Sequence, residues 1–195
     1  SDADIDCVVL SHLHFDHAGG LLPAWSEDAE AKLVFPKARF ITSDVAWGRA
    51  RRPHLRDRIS FIPELVPLLQ DSNRLILVKA GEPHPLGENF SYTLSDGHTP
   101  GQLLTELSTE NGSVALGGDL VPGEVWMHLP ITMGYDRYPE LLVEEKERFL
   151  SRAERRGTQL LFTHDALRAS ASVMVDQKGR FIAGETHETL APLSL

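Results

Sequence analysis

The sequence predicts a mixed α/β layered fold. Short apolar runs of strand length recur along the chain, one long amphipathic helix stands between two of them, and shorter helix signals separate others. At 195 residues, a single domain spanning 1–195 with a sizeable core is expected.

The elements follow in order. IDCVVL (5–10) reads as a short buried strand, with Cys7 a small buried hydrophobe inside it. FDHAGGLLPAW turns away as a short helix or loop. ARFITS (38–43) is a second strand, and SDVAWGRAR starts a helix with Ser43 or Asp44 as N-cap. IPELVPLLQ is a short helix with Pro63 near its start. Strand-like runs follow at 74–80, 90–97, 102–109 and 113–119, with ENG at 110–112 as a hairpin turn. YPELLVEEKERFLSRAERRG is the clearest helix: Pro139 suits its first turn, Leu142, Phe149, Leu150 and Ala153 share a face, and Gly157 stops it. TQLLFTHD is a strand ending at His164, and ASVMVD-QKG-RFIAG a closing hairpin.

Composition excludes several functions. Hydrophobic residues make up 42% and charged residues 24%, which is ordinary for a soluble globular chain. A net charge of -9 argues against non-specific nucleic-acid binding. No apolar stretch approaches the roughly 20 residues that span a bilayer. The start, SDADID, lacks the basic and apolar regions of a secretory signal, so a cytoplasmic protein is the expectation. With Cys7 the only cysteine, an intramolecular disulfide is impossible.

The stretch VVLSHLHFDHAGG (8–20) is chemically dense. His12, His14, Asp16 and His17 place four potential ligands in six positions behind an apolar run. Imidazole and carboxylate suit zinc and similar metals. At this spacing the four cannot share one strand face or helix stripe, but a turn after a strand can aim them at one centre or two adjacent ones. Gly19 and Gly20 would let the backbone leave the crowded site. Three more polar residues follow apolar runs: His98 in SDGHTPGQ, Asp119 in ALGGDLV and His164 in LLFTHD. Strand ends deliver side chains to shared sites.

This set, His12-x-His14-x-Asp16-His17, then His98, Asp119 and His164, resembles that of the metallo-β-lactamase-fold hydrolases. The resemblance runs from about residue 5 to about residue 166. It implies an αββα sandwich with metals at one edge of the two sheets, here lacking the N-terminal strands that normally precede the His-rich motif. It also implies a ligand set: His12, His14 and His98 on a first metal, Asp16, His17 and His164 on a second, and Asp119 bridging. The cofactors would be two divalent ions, zinc by default, with manganese, iron or cobalt as alternatives. A hydroxide bridging them would attack a lactone or ester, an acyl-homoserine lactone or phosphotriester among them. Asp16 would act both as ligand and as proton carrier, so Asp16 and Asp119 are the catalytic candidates.

DGHTPGQ, GGDLVP and the segment 127–146 are similar to the lactonase and organophosphate-hydrolase branch. In that branch such a segment lines the substrate pocket, which makes His128, Tyr135 and Tyr138 the substrate-binding candidates and Trp126, Met127 and Met133 an apolar wall. Gln102 departs from relatives that carry His or Ser there. Asp96 and Thr99 read as turn residues or as partners of the metal-binding imidazoles. True β-lactamases of this fold usually have a cysteine where Asp119 stands, which argues against that activity. The rival readings are a thioester hydrolase resembling glyoxalase II and a non-catalytic metal-binding fragment. The expected partner is a small lactone or ester, without nucleic acid or membrane, in a possible homodimer.

Overall fold

Strand direction in this protein follows from what connects the strands. The computed structural model describes residues 1–27, 30–110 and 112–190, and they divide into two compact units, Ser1–Glu82 and Pro83 onward. Among the described residues the mixed α/β reading holds, with nine strands and four α-helices.

The first unit carries a parallel sheet ordered β1 (Cys7–Val9), β2 (Arg39–Ser43), β3 (Leu75–Val78). Parallel neighbours need long crossovers. Here they contain α1 (Phe15–Ala18), α2 (Asp44–Arg51) and α3 (Leu65–Asp71). Phe40, Trp47, Phe61, Leu65 and Leu69 form the centre of its core, joined by Leu10 and Leu13 from the turn after β1. Arg74 ties the sheet to its loops, donating to the carbonyls of Phe35 and Ala38, both at 2.7 Å. Cys7, expected inside the core, is only half-buried, because β1 is an edge of its sheet among the described residues.

The second unit carries a six-stranded sheet ordered β4 (Phe90–Ser95), β5 (Gln102–Thr109), β6 (Gly112–Leu116), β7 (Gln159–Leu161), β8 (Ser170–Val175), β9 (Phe181–His187). All pairings are antiparallel except β6 with β7. That parallel pair requires a crossover, and the long helix α4 (Pro139–Arg156) lies within it. Its apolar face, Leu142, Phe149, Leu150 and Ala153, packs on Leu104, Ala115, Leu160 and Val173 of the sheet. Gly157 ends it in the left-handed conformation, with φ 63°. β5 and β6 pair as the hairpin reading expects, although Asn111 of the turn lies outside the described residues. β7 stops at Leu161, so His164 stands in the following loop rather than at the end of the strand.

Ser43 caps α2 through its side chain, which accepts from the Ala46 N–H at 2.9 Å in a buried setting. Ser43→Ala removes that acceptor and should lower stability by about 1 kcal/mol, read as a shift of the urea midpoint at constant slope.

Candidate metal centre

In the first unit, β1 ends at Val9 and His12 stands three residues beyond it. Leu10 and Leu13 anchor this turn in the core, and His12 and His14 are buried with them. His14 caps α1, bridges to Phe61 through the backbone, and sets its ring edge-on to that of Phe61 at 5.0 Å. Ser11 Oγ lies 3.1 Å from His12 Nδ1 and holds that edge of the ring. The other edge, Nε2, faces His14 Nδ1 at 3.1 Å. The ring of His17 lies 4.1 Å from that of His12 between centroids. Asp16, exposed, sets Oδ2 3.6 Å from His17 Nε2. One turn thus gathers all four predicted donors. Gly19 and Gly20 do not relieve a steric conflict as expected: neither has positive φ, and a Cβ on Gly20 would meet nothing within 4 Å.

In the second unit, β4 and β6 are both antiparallel to β5, so they point the same way, and β7 is parallel to β6. The C-terminal ends of these three strands therefore lie at one edge of the sheet. His98, Asp119 and His164 each stand three residues past one of those ends, at Ser95, Leu116 and Leu161. Asp119, 3% exposed, divides its carboxylate between the two imidazoles. Oδ2 is 3.3 Å from His98 Nε2, and Oδ1 is 3.4 Å from His164 Nε2.

The backbone around this group is tightly held. With its amide oriented so that oxygen faces donors, Gln102 accepts from the N–H groups of Asp119 at 3.3 Å and Leu120 at 3.1 Å. That gives the residue departing from the family pattern a job: it fixes the turn carrying Asp119. The His164 N–H donates to the Pro122 carbonyl at 2.8 Å, and the Thr163 hydroxyl to Gly118 at 3.4 Å. Asp96 accepts from the Gly101 N–H at 2.7 Å, which makes it a turn residue.

The carboxylate that meets the far edge of His98 is one sequence reasoning missed. Asp136 is buried, and its Oδ1 lies 2.8 Å from His98 Nδ1 while Oδ2 accepts from the Met133 N–H at 2.6 Å.

The metallo-beta-lactamase superfamily model matches residues 1–176. The chain belongs to this superfamily. Among solved structures, it is similar to a probable metal-dependent hydrolase from Staphylococcus aureus, at 26% identity and a TM-score of 0.80 over 98% of this chain and 65% of that one. It is also similar to AidC, a dizinc quorum-quenching lactonase, at 23% identity and a TM-score of 0.73 over 95% and 66% of the two chains. A third is AbOPH, a hydrolase of the same superfamily, at 22% identity and a TM-score of 0.79 over 97% and 67%. The chain thus spans about two thirds of the length of these proteins. No curated protein matches it in sequence. Among the described residues, the two sheets and four α-helices are consistent with the metallo-β-lactamase-like fold that the motif implied. No helix among the described residues is long and apolar enough to cross a membrane.

The substrate candidates are spread over the second unit. Tyr135 sets its ring against that of His98, 6.0 Å between centroids, and its hydroxyl donates to Met133 Sδ at 2.9 Å. Tyr138 is the N-cap of α4, half-exposed, with its N–H donating to Gly97 at 2.8 Å. His128 is exposed and lines a cavity of about 320 Å³ with Val125, Arg180 and Phe181. Met127, expected in an apolar wall, is a buried member of the core. The larger cavity in the first unit, about 480 Å³, was not foreseen: it opens at Gly19, two residues past His17, and is lined by Leu22, Trp25 and Ile62 with Glu30 and Glu64.

Helix α4 braces the second unit's loops with three residues from one stretch. A Cβ on Gly97 would sit 2.6 Å from the Leu142 backbone nitrogen, so only glycine allows the approach. Glu145 accepts from the Ser95 hydroxyl at 2.6 Å and the Asp96 and Gly97 N–H groups at 3.0 Å. Lys146, fully buried on the apolar face, donates from Nζ to the carbonyls of Ile131 at 2.5 Å and His128 at 3.4 Å.

Burial pushes the Lys146 ammonium down to about 8 from its usual 10.5, against the opposing attraction of Asp136. The unfolded chain then holds a proton that the folded chain has released between those values, so this lysine's contribution to stability rises with pH across that window. Wild type should gain stability relative to Lys146→Met from pH 7.5 to pH 9.5 in urea unfolding.

Proposed function

We propose that this chain carries the metal centre of a hydrolase that opens lactones or cleaves related esters, phosphotriesters among them. The observation that carries the reading is the divided carboxylate of Asp119, with one oxygen toward each of two imidazoles. A carboxylate so placed can bridge two cations. In this reading the chain holds two divalent ions, zinc by default. His12, His14 and His98 hold the first, Asp16, His17 and His164 the second, and Asp119 bridges.

The donor chemistry fits the group. His12 and His14 face each other through ring nitrogens 3.1 Å apart, an arrangement in which a cation can take the place of the shared proton. Ser11 on His12 and Asp136 on His98 occupy the opposite ring edges, as partners of metal-binding imidazoles commonly do. When bound, two divalent ions would supply hydroxide near neutral pH and polarise the substrate oxygen.

The chain's own residues do the rest. Asp119 and Asp16 would offset part of the charge of the bound ions. In this reading Asp16, which is exposed beside His17, carries a proton to the leaving alkoxide. Tyr135 is the favoured substrate donor of the three candidates. Its ring packs on His98, and its bond to a thioether, a weak acceptor, is easily exchanged for one to a substrate oxygen. The cavity at Leu22, Trp25 and Ile62 suits an apolar acyl chain, and Glu30 and Glu64 at its margin disfavour an anionic one.

The test is turnover of acyl-homoserine lactones of increasing length, aryl esters and phosphotriesters by the zinc-loaded protein beside Asp119→Ala. Loss of about a hundredfold or more in the variant is expected, since even partners of metal ligands are commonly worth 10–100-fold. Equal turnover by both proteins would refute the assigned bridge. Trp25→Ala should raise KM about tenfold for long acyl chains and little for short ones.

A further inference from the structure

Charge is unevenly placed along the chain. The segment from Arg49 to Ser60 holds five arginines and one aspartate, a charge of +4 against -9 for the whole chain, so the remainder carries -13. The one carboxylate of the segment is not at the surface. Asp57 is 2% exposed, and its Oδ2 accepts from Arg49 Nε at 2.8 Å and Nη2 at 2.7 Å. One arginine is thus committed to the buried aspartate, while Arg51, Arg52, Arg56 and Arg58 stand exposed.

Two aliphatic side chains share this stretch. Leu55 is 78% exposed and Ile59 88%. They lie two residues to either side of Asp57, so the residue drawn inward fixes the two that project. The backbone is held as well. The His54 carbonyl accepts from the Asp57 and Arg58 N–H groups at 3.0 and 2.9 Å, and the Asp57 carbonyl from the Ser60 N–H at 2.9 Å. A single exposed aliphatic is ordinary. Two held outward on a turn anchored by a buried ion pair, with four exposed arginines in the same stretch, call for a partner that is anionic outside and apolar beneath.

We propose that this turn docks on an anionic lipid surface, with Leu55 and Ile59 entering the headgroup layer and the neighbouring arginines taking lipid phosphates. A second copy related by a two-fold axis through the turn would set arginine against arginine. An acidic protein segment or a nucleic acid would use the guanidinium groups and leave the aliphatics in water. A membrane meets both needs: it offers phosphates at its surface and hydrocarbon just below, and it yields to a projecting turn without a matching groove. Net charge and the lack of a spanning stretch, which set a membrane aside in the sequence, are blind to a patch of this size. The remaining -13 repels the rest of the chain from the same surface, which leaves this turn as the leading face. The docking belongs to the first unit and does not rest on the metal reading.

The experiment is co-sedimentation with vesicles of phosphatidylcholine alone and of phosphatidylcholine mixed with phosphatidylglycerol, at low and high salt. Binding should appear on the mixed vesicles only and fall as salt rises. Arg51→Gln and Arg52→Gln should each weaken it about fivefold, and Leu55→Ser combined with Ile59→Ser about tenfold. All four side chains are exposed, so the urea midpoints should stay near that of wild type. Ile59→Trp should add an emission component that shifts to the blue on the mixed vesicles, as a ring leaving water does. Absence of binding at low salt would overturn the proposal. So would binding that survives loss of both aliphatics but not of the arginines, which would make the turn a site for acidic macromolecules by charge alone. An added tryptophan emission that bound vesicles leave unmoved would contradict the insertion.

Discussion

A carboxylate sealed from water needs compensation, and Asp119 turns one oxygen toward each of two imidazoles. Most of the second unit is arranged around that requirement. The two imidazoles can meet the carboxylate only if three loops emerge at the same edge of the sheet. They do so because β4, β6 and β7 run in one direction. For β6 and β7 that direction demands a crossover, which is why the longest helix of the chain lies between Asp119 and His164. Gln102 fixes the turn behind Asp119, so even the residue that departs from the family pattern serves the same group.

The helix that solves the topological problem also sets the site's geometry. A crossover helix needs only an apolar face to pack on its sheet. α4 places a lysine in the middle of that face and a glutamate beside it. Burying an ammonium is unfavourable, as its lowered proton affinity records. It is tolerated because Nζ donates to two loop carbonyls. Stability is thereby exchanged for a loop held in one position, and that loop carries Asp136.

Much of this was legible in the sequence, for definite reasons. His12, His14, Asp16 and His17 stand together in the chain, so their meeting needs only a turn. His98, Asp119 and His164 were legible because each follows an apolar run, although the last strand is shorter than it reads: Phe162 and Thr163 continue its pattern beyond Leu161. Asp136 left no such trace, since it lies in an irregular loop, 38 residues from the imidazole it holds. Lys146 did leave one. It stands four residues after Leu142 and three before Phe149, within the apolar stripe of α4, and a charge in such a stripe is a reason to look for what it pairs with. The first unit's cavity was illegible because its walls come from Leu22, Trp25 and Ile62, which share no periodic pattern.

The central claim is that Asp119 bridges two ions, and its most direct measurement is anomalous diffraction at the zinc edge from crystals of the zinc-loaded protein. The account predicts two anomalous peaks about 3.5–4 Å apart, one beside each oxygen of Asp119, with His98 on one and His164 on the other. A single peak, or a pair to which Asp119 contributes no oxygen, would contradict it.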